Sequence, residues 1–310
     1  MPWTFLLAAM MAAAVHAAPA NATSDGARNT PRADAEALDA LAHHYRDRPA
    51  SERAQALHGR YLAVYGGVVP GALDDAGLVA MFESLATVSY YLTEPATARE
   101  LLTVTAELDR RSIATTGHFE RTHATLVAAR LLEEARAFHD RHPGLEVQRV
   151  PAVEPAPLPS TDGPGMLVWD SGRGVLRHEP IKLDADYQVL VVSHPLCRFS
   201  KAALDAISND AELAAVFSGH ATWVVAPPGN LPLEPMGRWQ ARHPDQRIGL
   251  IDRPASWRFI GTDSTPVFHF LKAGEVVETV AGWPGEGNRE AVVAALQRIG
   301  ALPGVDGEGD

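Results

Sequence analysis

The first half of the chain repeats apolar residues at three- and four-residue spacing. Leu38, Leu41, Ala42 and Tyr45 form one stripe, and Leu57, Tyr61, Leu62 and Tyr65 a second. Further runs cover Leu78–Leu92, Ala96–Leu108 and Phe119–Phe138. That period is the mark of helices with one buried face. It predicts about five helices over residues 32–143, packed as antiparallel pairs. Thr93-Glu94-Pro95 and Thr115-Thr116-Gly117 separate the runs, with Pro95 in a first-turn position. Pro143, Pro151, Pro155, Pro157, Pro159 and Pro164 then interrupt every period. A stretch so rich in proline is neither helix nor central strand, and residues 144–165 read as a semi-rigid linker between two domains.

Beyond the linker the pattern is that of a sheet. Met166–Trp169 and Gly174–His178 form a short hairpin around Asp170-Ser171-Gly172. Tyr187–Ser193 and Ala221–Ala226 are continuous apolar runs of strand length, suited to strands covered on both faces. Ser200–Phe217 and Pro235–His243 read as helices, and Arg247–Ile251 as a short strand. Val267–Leu271 and Val276–Ala281 are strands joined at Lys272-Ala273-Gly274, and Glu290–Ile299 is the last helix. The larger elements run β-α-β-α-β-β-α, an α/β layered sheet. The whole is therefore an α+β chain of two domains, all-α over 32–143 and α/β over 166–302. The acidic, glycine-rich tail 303–310 is expected to be disordered. In the helical half, Thr122–Pro143 resembles a tetratricopeptide helix pair, and Ala80–Leu108 offers a second. The Trp/Gly/Tyr signature of that repeat is absent, so a plain helical bundle is the simpler reading.

Composition narrows the function classes. The 27 Lys+Arg stand against 38 Asp+Glu, a formal net charge of −11. Such a field does not favour nucleic acid or anionic lipid. Residues Trp3–Val15 are apolar but too few to span a bilayer. Val15-His16-Ala17 follows with small-x-small spacing, so residues 1–17 read as a cleavable export signal, although no Lys or Arg precedes it. The expected location is outside the cytoplasm, the periplasm if the source is Gram-negative, with no stable membrane insertion. His43-His44 lie on a helix, as do His139 and His142, which are spaced i,i+3. No third ligand accompanies them, and neither a metal nor a cofactor is expected.

The single cysteine, Cys197, excludes a disulfide framework and a multi-cysteine metal site. It lies between a buried strand and the start of a helix. Unpaired N–H groups and the positive end of the dipole favour a thiolate there. Arg198 and Lys201 add local charge, and His194 stands close in sequence. A thiol so placed can attack a disulfide or be oxidised. A small buried hydrophobe is the bland alternative. Far downstream, Thr265-Pro266 directly precedes a strand, a place where a cis proline can turn the backbone toward a reactive sulfur.

Taken together, these residues resemble the thioredoxin fold family, with a flavour similar to periplasmic disulfide isomerases and reductases. Thr265 to Glu275 looks like the family's cis-proline strand and hairpin, and Gly282 falls at its next glycine. Ser193 to Lys201 looks like the active-site turn. The resemblance spans Leu183 to Leu302. It departs at two positions. The family's C-x-x-C is here Cys197-Arg198-Phe199-Ser200, and the buried acid six positions before the nucleophile is Val191. Without a resolving cysteine the chain cannot close its own disulfide, which leaves monothiol chemistry.

The resemblance implies Cys197 as nucleophile and Thr265 with Pro266 as a backbone ledge for an extended substrate. Ser200 is either a hydrogen-bond partner of the thiolate or a helix-start residue, and His194 a tuning group or a turn residue. Trp283-Pro284 near the thiol is expected to serve packing. The implied partners are protein thiols or disulfides, or a small thiol, in isomerisation, reduction or deglutathionylation. The alternative is a redox-inactive scaffold of the same fold whose helical domain docks a protein.

Overall fold

The computed structural model describes residues 31–155, 163–226, 230–262 and 264–303. The expected export signal and the tail from residue 304 lie outside them. Within them the chain is mixed helix and sheet. Six helices come first: α1 (Pro31–His44), α2 (Ala50–Tyr65), α3 (Asp75–Tyr91), α4 (Pro95–Arg110), α5 (Thr116–Ala128) and α6 (Leu132–Arg141). Their starts follow side-chain chemistry. Asp74 accepts the Gly77 N–H at the head of α3, and Pro95 opens α4. Thr115 and His118 bond each other's backbone at the head of α5.

The run Phe119–Phe138, expected to be one helix, is two. Arg130 adopts φ 59° after α5, and the Leu131 N–H reaches back to Leu126 O while Arg130 N–H reaches Val127 O. That is the left-handed helix ending usually made by glycine, here made by arginine.

The sheet has eight strands in the order β1-β3-β2-β6-β5-β4-β7-β8. They are β1 (Ala152–Glu154), β2 (Gly165–Asp170), β3 (Val175–Pro180), β4 (Tyr187–Ser193), β5 (Ala221–Val225), β6 (Arg247–Ile251), β7 (Val267–Lys272) and β8 (Glu275–Ala281). Strands β4, β5 and β6 are parallel neighbours, while β7 and β8 run antiparallel. The short strand at Arg247–Ile251 matters more than its length suggests: it pairs with both β5 and β2 and joins the hairpin to the sheet. The proline-rich stretch supplies β1 at the sheet edge, where missing donors do least harm.

Four helices flank the sheet: α7 (Arg198–Asn209), α8 (Ala211–His220), α9 (Leu233–Arg242) and α10 (Arg289–Ile299). The expected single helix Ser200–Phe217 is split at Asp210. Its carboxylate accepts the Glu212 and Leu213 N–H groups and starts α8 afresh.

Three apolar clusters hold the molecule together. One fills the helical half around Leu57, Phe82, Leu85 and Leu101. A second fills one sheet face around Val192, Val224 and Trp257. The largest runs from Leu126, Leu132 and Phe138 of α5 and α6 to Val191, Trp223 and Phe268 of the sheet. Each such side chain contributes about 1.5–3 kcal/mol on burial. Gln148, after α6, both donates to and accepts from the Leu231 backbone and fastens this passage to the loop before α9.

Candidate active site at the start of helix α7

The site is built where β4 ends. Val189 to Ser193 are buried and fix the strand in mid-sheet. His194 to Cys197 then form a turn closed by the Cys197 N–H on His194 O at 2.9 Å. Cys197 is the residue that caps α7, with extended backbone, and its own carbonyl accepts the Lys201 N–H at 3.0 Å. Its sulfur is half-buried rather than sealed. Leu196 and Phe199 on either side are largely exposed.

Thr265 meets the sulfur from across the sheet. Cys197 Sγ lies 3.6 Å from Thr265 O, and the Thr265–Pro266 peptide is cis. The backbone arrives there because β7 pairs with β4 along its length, Val267 opposite Val192. The Pro266 carbonyl accepts the Gly282 N–H at 2.8 Å, so the carbonyl turned to the sulfur is that of Thr265.

Burial alone would raise the Cys197 pKa, but the balance runs the other way, below the ordinary thiol value. The Thr265 side chain, the backbone N–H and side chain of Ser200, and the Phe199 N–H all donate toward the thiolate. The two groups of Thr265 act oppositely: its carbonyl accepts the S–H and favours the thiol, whereas its hydroxyl favours the thiolate. Together the donors outweigh burial, the Thr265 side chain first among them and the helix-start groups of Ser200 and Phe199 after it.

Ser200 is fully buried. Its Oγ accepts the His194 N–H at 3.3 Å and can give its own proton to Cys197. It therefore serves the turn and the thiolate at once. His194 does something else. Its Nδ1 accepts the Leu196 N–H at 3.2 Å, and burial holds its pKa down, so the ring is a neutral brace of the turn. Arg198 and Lys201 are exposed, and the Arg198 guanidinium rests over the Phe199 ring at 4.5 Å. Val191 is buried among apolar side chains. Trp283 is buried against Phe268.

The histidines on helices scatter. His142 stacks on Phe119 while His139 faces His123, so the i,i+3 pair does not converge. Among the described residues no group of three metal-ligating side chains gathers, and no helix is long and apolar enough to cross a membrane.

A second polar cluster escaped sequence reasoning. His178 Nε2 lies 2.8 Å from Asp252 Oδ2, directly over Gly165. Burial opposes ionisation of Asp252, yet donors from His178, the Arg253 N–H and Trp257 outweigh it and hold the carboxyl below its usual range. The sequence offered no signal for this cluster, because its members are far apart in the chain.

No protein-family model matches the chain, and no curated protein matches it. Two solved structures are similar to it. One is a solution structure assigned as a thioredoxin from Neisseria meningitidis, 16% identical, covering 46% of this chain and 95% of that one, with a TM-score of 0.31. The other is a crystal structure of a thioredoxin-like protein from Bacteroides caccae ATCC 43185. It is 10% identical and covers 93% of this chain and 99% of its own, also with a TM-score of 0.31.

Proposed function

We propose that this protein is an exported monothiol protein of the thioredoxin type that carries out thiol–disulfide exchange through Cys197. One observation carries the reading: a half-buried sulfur at a helix start, facing Thr265, with its ionisation favoured by surrounding donors. An inert structural cysteine needs none of those donors.

The Cys197 thiolate attacks one sulfur of a substrate disulfide. A new S–S bond forms, the old one breaks, and the departing sulfur leaves as a thiolate that takes up a proton. Ser200 carries no sulfur, so the mixed disulfide is resolved from outside. A thiolate of the substrate, or a small thiol, attacks it and restores Cys197. When the substrate's own thiol does so, the cycle is an isomerisation with no net electron transfer. When an external thiol does so twice, the substrate disulfide is reduced and the small thiol is oxidised. Exposed Leu196 and Phe199 beside the sulfur suit an apolar stretch of unfolded substrate. The two-domain reading assigns residues 166–302 to this chemistry and residues 32–143 to docking of substrate proteins. Export rests on the pattern of residues 1–17.

The test is the pH dependence of Cys197 alkylation by iodoacetamide. The protein has no other cysteine, so loss of free thiol reports this site alone. The reading expects a midpoint below the ~8.5 of a free thiol, and mixed disulfides captured by the wild type but not by Cys197→Ser. Labelling that proceeds only after unfolding defeats it and leaves the scaffold reading.

A further inference from the structure

The segment from Asp252 to Thr265 links the end of β6 to the residue that faces the thiol. It is tied at its start, at its middle and near its end by groups outside it. At its start, Arg130 from the turn between α5 and α6 donates Nε to Ile251 O at 2.7 Å. Asp252, next in the chain, accepts the Gly165 N–H at 3.1 Å, the Arg253 N–H at 2.7 Å and Trp257 Nε1 at 3.3 Å. There is no slack beneath it: a Cβ on Gly165 would lie 2.6 Å from Asp252 Oδ2. Midway, Arg258 reaches Glu94 at the head of α4 at 2.8 Å. Farther on, Gly261 O pairs with His269 Nε2 of β7 at 3.2 Å. Of the outside groups named, Arg130 and Glu94 belong to the helical half.

Arg130 is an expensive way to make such a tie. It takes a left-handed conformation that a non-glycine residue seldom adopts. Its Nη1 returns to Val127 O at 3.2 Å, and its Nη2 is buried without a hydrogen-bond partner among the described residues. Burial pushes the guanidinium down to about 10, with the Asp252 charge acting against that. Strain and a buried unmatched donor persist where the surroundings hold them in place, and such places are often functional.

We propose that Arg130 is a positioning residue for the thiol: by fixing the start of the 252–265 segment from the helical half, it sets how Thr265 stands against Cys197. The inference rests on the thiol reading above. Its physical basis is how Thr265 stands at the sulfur: its carbonyl lies 3.6 Å from Sγ, and the side chain of the same residue donates toward the thiolate, so a displacement of Thr265 weakens that donation. The helical half thereby tunes the reactivity of a sulfur it does not touch.

The experiment compares the wild type with Arg130→Met, Arg130→Lys and Arg258→Gln, each as the full chain. Amide hydrogen exchange over residues 253–267 is read alongside the pH profile of Cys197 alkylation. Arg130→Met is expected to speed exchange in that segment and to slow alkylation at pH 6 by about 3–10-fold, the loss of roughly one hydrogen bond to a charged group. Arg130→Lys keeps a donor and restores part of both. In a Thr265→Val background the Arg130 effect on alkylation should vanish, because the two act in series. A folded Arg130→Met whose alkylation profile matches the wild type overturns the inference, as does an undiminished effect in the Thr265→Val background. If Arg130→Met does not fold, Arg258→Gln decides: a smaller change of the same sign supports the inference and an unchanged profile overturns it. A wild-type thiol that is inert defeats the thiol reading itself, and the wild-type profile alone shows that.

Discussion

Ser200→Ala isolates what the hydroxyl does for the thiolate. The serine is fully buried, so the change opens little space and exposes nothing. It removes one donor to Cys197 and leaves the His194 N–H without its acceptor. A hydrogen bond to a charged group contributes about 1.5 kcal/mol net, which is about tenfold in thiolate population at acidic pH. The more basic thiolate that results is also the better nucleophile. With a Brønsted coefficient of about 0.4–0.5, roughly threefold of the loss returns. Alkylation at pH 6 should therefore slow by about 3–4-fold. At a pH high enough to ionise both thiols, the variant should be faster by about threefold. The two profiles must cross. A urea titration should also show about 1–3 kcal/mol of lost stability from the stranded His194 N–H. Profiles that coincide, or that differ by one constant factor at all pH values, refute the role assigned to Ser200.

Ser200→Cys should turn the site into a dithiol. Positions three apart at a helix start place their Cα atoms about 5 Å apart, inside the range a disulfide tolerates. Mild oxidation should then give an intramolecular disulfide, seen as a mass loss of two hydrogens and loss of both free thiols; persistent free thiols would contradict the placement of Ser200 beside the sulfur. Gly165→Ala should lower the melting temperature through about 1–3 kcal/mol of overpacking, because the new methyl meets Asp252 at 2.6 Å and His178 at 2.8 Å; a neutral outcome would mean that this cluster yields easily. The buried His123 has its pKa held down by burial first and by His139 second. Its unfolded form therefore binds a proton first as pH falls. The contribution to stability is full above about pH 6.5 and is lost as pH drops from there toward the folded pKa. His118 and His269, held down chiefly by burial, add the same sign. The urea midpoint should fall between pH 7.5 and pH 5, less steeply in His123→Met; an equal fall in both would remove His123 from the account.

What could be read in the sequence was local or periodic. Tyr187–Ser193 matches β4 at both ends, because a strand covered on both faces writes an unbroken apolar run. The turn at Lys272-Ala273-Gly274 was marked by its glycine, and Ala273 and Gly274 both take positive φ there. The break at Asp210 was legible in principle, since Asn209-Asp210 is a capping signal inside an apolar run. The helix ending at Arg130 was not, because it uses a left-handed residue other than glycine. The junction was least visible of all. Arg130 and Ile251 are 121 positions apart, and neither belongs to a motif. Periodicity describes which face of an element is covered and says nothing about which distant charge will meet it.

Residues 191 and 200 bear on each other once the packing is known. Val191 sits with Trp223 and Phe268 in the apolar layer beneath the turn. A carboxyl there would be buried without a partner, at a cost of several kcal/mol unless neutralised. Its use in a dithiol site would be to take a proton from a second, buried thiol, and that position holds Ser200. A serine hydroxyl does not ionise in the working range and asks nothing of residue 191. It can still donate to Cys197, so ionisation of the one sulfur survives while intramolecular closure does not. The direction of the proposed reaction is then not set within the chain. In the proposed cycle Cys197 leaves a mixed disulfide only when another thiol arrives, and whether the substrate ends isomerised or reduced depends on which thiol that is.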